Sequence, residues 1–310
     1  MTSRAHAADR RTDAAPSPSE LRRLAVDAAL DAGAPLVHAF RSQMDVATKS
    51  SSHDLVTAFD TATEERLVAA LTAAVPDSQF TGEEGGSHGS GAVEWIIDPI
   101  DGTSNFAHGF AMFSISIAAA VDGEVVAGVV HDPIGRLTFS ADDSGAWLQD
   151  GDGERALGPA GEDGARRRPR AEETLNLVTS YPSAEIVESA GPAALQTFGT
   201  LVTTYSAVRR LISGALELCH AAAGWADVVL GADTSPWDVA AGMLILRRAG
   251  GRYLVDGGAP GAADHLAPHY LGLAPGVEAP TARRALAEIT ARGGELPGEH
   301  VGRPAGEHTV

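Results

Sequence analysis

Apolar side chains recur at helical intervals early in the chain. Leu21, Leu24, Ala28 and Leu36 predict a helix over 20–41 with Ser19 as its N-cap, and Pro35 inside that stretch predicts a kink or a split. A second helix is expected over 61–75, capped by Asp60 and ended by Pro76. Residues 78–84 read as a short strand ending in Gly82-Glu83-Glu84-Gly85, followed by a Gly- and Ser-rich loop over 85–91. The apolar run 93–97 reads as a short buried strand. Four more strand-like runs follow at 113–121, 124–131, 137–140 and 146–149. Asp122-Gly123 stands where a hairpin turn belongs, so an antiparallel meander is expected.

Periodicity then stops. Residues 150–173 hold Gly, Asp, Glu, Pro and the run Arg166-Arg167-Arg168, which together read as a mobile, solvated connection. Beyond it, strands at 175–179, 201–205, 226–230, 252–255 and 270–273 alternate with helices at 191–198, 213–223, 236–249 and 280–291. That alternation implies a mostly parallel or mixed α/β sheet. The expected organisation is a disordered leader (1–18), an N-terminal α+β half (19–150), a connection (151–173), a C-terminal α/β half (174–292) and a loose tail (293–310).

Chemistry concentrates where the run 93–97 ends. Asp98 and Asp101 flank Pro99 and Ile100; Gly102 permits a tight turn, and Thr103 or Ser104 offers an N-cap for a following helix. Carboxylates collect hard divalent cations, and a helix start collects phosphate. Further acids stand at the ends of other elements: Asp60, Glu83 with Glu84, and Asp238 after Trp237. Taken singly, each has an ordinary reading as a helix cap, a solvated turn or a helix-start acid.

Composition narrows the field. The 310 residues suffice for one large domain or two modest ones, and no apolar run approaches a membrane span. A formal charge of −18 argues against nucleic acid and anionic membrane as partners. Cys219 is the only cysteine, so no internal disulfide forms and the cytoplasm is the expected compartment. His53, His108 and His131 lack zinc-ligand spacing.

Together the acidic stretches resemble the inositol monophosphatase family of Mg²⁺-dependent, lithium-sensitive phosphatases. The matching pieces are Lys49 with 54–60, Phe80-Thr81-Gly82-Glu83-Glu84, the block from Trp95 through Asp98-Pro99-Ile100-Asp101-Gly102-Thr103 to Phe106, and Pro236-Trp237-Asp238 through Gly242. They occur in the family's order, and the likeness runs from about residue 21 to about 291 outside the connection. It implies a layered αβαβα sandwich of the inositol monophosphatase and fructose-1,6-bisphosphatase type, two or three Mg²⁺ ions per site, and a homodimer. It also implies roles. Glu83, Asp98 and the carbonyl of Ile100 would bind a first metal. Asp98, Asp101 and Asp238 would share a second, and Glu83 would support a third. Thr103 would orient the attacking water, with Asp60 accepting from it. The N–H groups of Gly102 and Thr103 would hold phosphate. Lys49, Glu84, Ser104, Arg209, Ser213, Gly214 and Asp233 are candidate substrate contacts.

The family pattern frays at the alcohol end of the site. In 209–215, Ile212 stands where the family commonly has glycine, and Gly231 stands where inositol phosphatases place a glutamate that binds hydroxyls. Asp233 is the nearest substitute. The expected activity is hydrolysis of a small phosphorylated polyol or sugar, with myo-inositol 1-phosphate as the default. Histidinol phosphate, fructose 1,6-bisphosphate, adenosine 3′,5′-bisphosphate and a pathway-specific nucleoside or aminosugar phosphate are alternatives. A catalytically silent metal- or phosphate-binding regulator is the alternative of another class.

Overall fold

A computed structural model of the chain describes residues 15–42, 46–48, 55–158, 170–257, 259 and 261–293. Lys49, His53, the leader up to residue 14, the arginine run at 166–168 and the tail from 294 lie outside the described residues. The first half contains α1 (Pro18–Ala39), β1 (Val46–Thr48), β2 (Leu55–Thr57), α2 (Ala58–Ala74), β3 (Ser78–Gly82), β4 (Gly86–Gly89), β5 (Val93–Asp101) and α3 (Thr103–His108). The meander is β6 (Ser114–Val121), β7 (Glu124–Asp132), β8 (Leu137–Asp142), β9 (Gly145–Asp150) and β10 (Gly153–Leu157). The second half contains β11 (Asn176–Thr179), α4 (Ala184–Ala190), α5 (Pro192–Thr204), β12 (Ala207–Arg209), α6 (Gly214–Ala222) and β13 (Val228–Gly231). It ends with α7 (Pro236–Arg248), β14 (Arg252–Val255), β15 (Tyr270–Leu273) and α8 (Pro280–Gly293).

The strands form an eight-stranded sheet, ordered β10-β9-β8-β7-β6-β5-β3-β4, and a five-stranded sheet, ordered β12-β11-β13-β15-β14. In the second sheet β11 runs parallel to β12 and β13, while β15 is antiparallel to β13 and β14. Strand alternation feeds two cores at once. On β5, Ile97 joins Leu21, Leu36 and Leu67 of α1 and α2, whereas Ile96 joins Leu218 and Ile245 of α6 and α7. On β13, Val229 joins that same central core, whereas Val228 and Leu230 join Leu201 of α5 and Leu286 of α8. Three apolar cores, the central one shared by both sheets, thus order the fold as α/β/α/β/α, the expected sandwich. Residues Val239 to Leu246 of α7 are all buried, as a helix lying between two sheets requires.

Several local expectations are corrected. Helix α1 starts at Pro18 because Ser17, not Ser19, caps it through a capping box with Glu20, and it runs through Pro35 as one helix. Thr57, not Asp60, caps α2; Asp60 lies a turn inside and accepts from the N–H and hydroxyl of Thr57, both at 2.7 Å. The loop expected over 85–91 contains β4, paired to β3. Residues 201–205 are not a strand: α5 continues its buried stripe Ala194, Thr197, Leu201, and the strand is β12. Helix α4 was not expected at all. The stretch read as a mobile connection begins with β10, paired to β9. Four of its five residues are exposed, so the alternation that would reveal a strand is missing.

Gly128 of β7 is where the large sheet meets α7. A Cβ there would lie 3.0 Å from the Cα and carbonyl oxygen of Ala241. Gly128→Val should therefore push α7 off the sheet and lower unfolding free energy by roughly 1–3 kcal/mol, the usual cost of overpacking. Urea denaturation would measure it, and an unchanged midpoint would show that the contact is slack.

Candidate active site

Strand β5 ends in a bulge. Asp98 pairs with Ser116 and Asp101 with Ser114, so one extra residue is accommodated around Pro99. Residues three apart on a flat strand face opposite sides; the extra residue brings Asp98 and Asp101 to the same cavity. Gly102 follows in the left-handed region at φ 96°, packed so closely that a Cβ would lie 2.9 Å from the Ile212 carbonyl oxygen. No other residue type fits both the backbone and that contact. Helix α3 starts directly after it.

Thr103, the first residue of α3, donates from Oγ1 to Asp60 Oδ1 at 2.8 Å, with the Ile100 carbonyl oxygen at 3.0 Å. Asp60 is fully buried, and its other oxygen is held by Thr57. With its proton directed at acceptors inside the protein, Thr103 Oγ1 turns lone pairs, not a donor, toward the cavity.

The cavity has a volume of about 290 Å³ and lies among the ends of β3 and β5, α3 and the starts of α6 and α7. Glu83, Asp98, Asp101 and Asp238 line it together. Burial, then Glu83, Asp101 and Asp238 around it, push the Asp98 carboxyl well above the ordinary carboxylate range. Burial raises Asp101 to about 6, against the pull of its hydrogen bonds. Those bonds tie it to the C-terminal half: it accepts from Ser213 Oγ at 2.6 Å, Ala215 N–H at 2.9 Å, Gly214 N–H at 3.0 Å and Ser114 Oγ at 3.2 Å. Asp238 accepts from the Ser235 N–H at 2.7 Å.

The donor set is that of a hard cation. Four carboxylates line the cavity, and among the described residues lining it none is Lys or Arg. No group of three or more His, Cys, Asp or Glu side chains among the described residues forms a ready-made cage, and Asp101 is hydrogen-bonded to the start of α6. An open set of this kind fits Mg²⁺, which keeps several waters and takes few protein carboxylates.

Ile100, Gly102, Thr103, Ser104, Gly214 and Asp233 also line the cavity. Asp60 stands behind Thr103, and Ser213 is a buried support for Asp101. Glu84 and Arg209 are not brought to the cavity. The Glu84 backbone is held by Glu64 at 3.0 Å, outside the site, and Arg209 is exposed on the edge strand β12. Its neighbour Arg210 reaches the rim instead, donating to the Ser180 carbonyl at 3.0 Å.

Sequence reasoning missed Glu217, Ser180, Ser183, Thr234 and Tyr270, all of which line the cavity. Glu217 carries a signal: it is the only acid in α6, whose other residues are apolar apart from His220. It is buried, accepts from Ser180 Oγ at 3.3 Å, and takes the N–H groups of Leu211 and Ile212. Asn105 holds the same turn from the other side, donating to the Leu211 carbonyl at 2.6 Å. Between these clamps Ile212 adopts φ 57°, a left-handed conformation that β-branched residues avoid.

The sequence profile of the inositol monophosphatase family matches residues 17–292. An inositol-1-monophosphatase of Mycobacterium leprae is 35% identical over 253 residues, covering 74% of this chain and 84% of that protein. A protein named Nus factor SuhB, from Pasteurella multocida, is 33% identical over 237 residues, covering 74% and 82% respectively. The crystal structure of SuhB from Bartonella henselae superposes with a TM-score of 0.73 at 28% identity, covering 86% of this chain and 98% of that one.

Burial raises Glu217 to about 8 from an ordinary value of 4.5, so folding takes up a proton between these values. Its contribution to stability is full below pH 4.5 and is lost as pH rises through 8. In metal-free protein, Glu217→Gln should flatten the fall of unfolding free energy across that window. Parallel curves for the two proteins would refute the shift.

Proposed function

The chain belongs to the inositol monophosphatase family, and on that premise we propose that it is a Mg²⁺-dependent phosphomonoesterase acting on a small phosphorylated polyol or sugar. The observation that carries this reading is the meeting of Glu83, Asp98, Asp101 and Asp238 in one cavity with Thr103 at the start of α3. Glu83, Asp98 and the Ile100 carbonyl would hold one cation. Asp98, Asp101 and Asp238 would hold another, with Glu83 available to a third. Bound Mg²⁺ supplies a lower pKa to the attacking water and neutralises charge on the departing oxygen.

The chain's own groups do the positioning. Thr103 Oγ1, its proton directed to Asp60, accepts a proton-bearing edge of the attacking water and aims the oxygen at phosphorus. The N–H groups of Gly102 and Thr103 receive phosphate oxygens. Asp101 fastens the start of α6 to the corner of β5, so the two halves of the site keep one geometry. Phosphoryl transfer asks for positioning and charge stabilisation, not a protein nucleophile. Cys219 is buried and its thiol is pushed well above its ordinary pKa, so it supplies no thiolate.

Myo-inositol 1-phosphate is the first substrate to assay, followed by histidinol phosphate, fructose 1,6-bisphosphate and adenosine 3′,5′-bisphosphate. The reading includes a cytoplasmic homodimer; among the described residues no helix is long and apolar enough to cross a membrane. A regulatory protein that binds metal or phosphate without turnover is the second reading, favoured by relatives named Nus factor SuhB. Phosphate release with Mg²⁺, measured beside calorimetric Mg²⁺ binding, separates the two: binding without release supports the regulator.

Chelation should abolish phosphate release and Mg²⁺ should restore it. Asp98→Asn should remove metal binding and nearly all turnover, and near-normal activity would refute the ligand assignment. Thr103→Ala should preserve metal affinity while lowering kcat by ~10² or more, because it removes water positioning alone. An unchanged kcat would reject that role.

A further inference from the structure

Gly231 of β13 and Tyr270 of β15 are cross-strand partners, and both line the cavity. A Cβ on Gly231 would lie 2.0 Å from Tyr270 Cε1 and 2.5 Å from Cζ, so the ring occupies the space any side chain at 231 would need. Strand β15 runs between β13 and β14, and Tyr253 of β14 stacks on the Tyr270 ring with centroids 4.8 Å apart and planes 17° apart. The ring is thus pinned from both flanking strands. Its hydroxyl oxygen lies 3.8 Å from where a Cβ on Gly214 would stand, a point also bordered by the backbone of Asp238. The phenol therefore faces the start of α6, beside the first turn of α7.

An aromatic ring over a cross-strand glycine also has a purely structural use, since it shields a bare stretch of sheet. The hydroxyl goes beyond that use. Buried tyrosine hydroxyls ordinarily find a partner. Among the described residues, no hydrogen bond engages the hydroxyl of Tyr270, although the residue lines the cavity. A phenol is protonated at neutral pH and offers one donor.

We propose that Tyr270 is a specificity-determining residue that touches the alcohol half of the substrate. Its ring bars any side chain at position 231, and its hydroxyl donates to an acceptor on the alcohol. The cavity then selects phosphomonoesters whose alcohol half carries a hydroxyl, ring-ether or carbonyl oxygen opposite Tyr270. No carboxylate reaches out from β13 to receive the hydroxyls of a polyol. This inference rests on the phosphatase reading above.

The test compares two kinds of ester in the Mg²⁺-loaded enzyme. Phenyl phosphate has no hydrogen-bonding group in its alcohol half; myo-inositol 1-phosphate and a nucleoside 5′-monophosphate do. Tyr270→Phe keeps the ring and the glycine contact while removing the donor. It should lower kcat/KM for the better polar ester by about tenfold, the worth of one hydrogen bond. Turnover of phenyl phosphate should stay within about twofold, with an unchanged Tm. Tyr270→Leu should in addition change the ranking of the polar esters. Equal effects on polar and apolar esters, or none on either, would overturn the proposal and leave Tyr270 as a cover for Gly231. Wild-type enzyme that hydrolyses none of the esters would overturn the phosphatase reading and this inference with it, an outcome distinct from active enzyme indifferent to Tyr270.

Discussion

Crowding of negative charge in a dry place governs this molecule. A carboxylate withdrawn from water is unfavourable unless hydrogen bonds or opposite charge replace its hydration, and a second acid nearby makes matters worse. Here Asp98 stands among Glu83, Asp101 and Asp238, and its carboxyl resists ionisation as a result. The fold relieves some of this strain. Four donors converge on Asp101, the Ile100 N–H serves Asp98, and the start of α7 serves Asp238. A collection of acids is a poor way to stabilise a core. It makes sense where bound cations complete it, which is the reading proposed for this site.

The layered architecture is what lets the acids meet. Helix α7 is buried between the sheets, and its first turn delivers Asp238 to the corner where β5 bulges. The close approach of Gly128 to Ala241 holds that helix against the large sheet. Asp101 in turn receives the first N–H groups of α6, so the corner of one sheet is hydrogen-bonded to the helical layer beneath the other. The groups proposed as metal ligands and phosphate contacts are therefore set by the packing of rigid elements, and small shifts between layers would be felt at the site.

The end of the cavity that the proposed reading gives to the alcohol follows a different rule. Its walls come from turns and from the five-stranded sheet: Ile212 in a strained conformation clamped by Asn105 and Glu217, Asp233 also at positive φ, and Tyr270 over Gly231. Strain persists where surroundings over-determine it, and such places cluster at functional sites. This end is also where the chain departs from the family pattern, at Ile212 and Gly231.

Much of the fold is legible in the sequence. Strand-like apolar runs and the Asp122-Gly123 turn mark the meander strands, the helix expected over 236–249 matches α7, and the Asp98 to Thr103 block points to cations and phosphate. These signals are local, because strand period, turn residues and paired acids act over a few neighbours. Where the local signal is absent or misleading, the structure departs from it: β10 is exposed and shows no alternation, and 201–204 belong to a helix whose buried stripe begins seven residues earlier, at Ala194. Glu217 is marked in the sequence as the lone acid of a mostly apolar helix. Tyr270 left no such trace. Its place over Gly231 depends on a strand pairing across some forty residues, which only the packed sheet decides. The sequence by itself determined which residues can bind cations and turn the backbone. The tertiary structure decided which of them share a cavity, because burial and cross-strand register are properties of the assembled layers, not of neighbours along the chain.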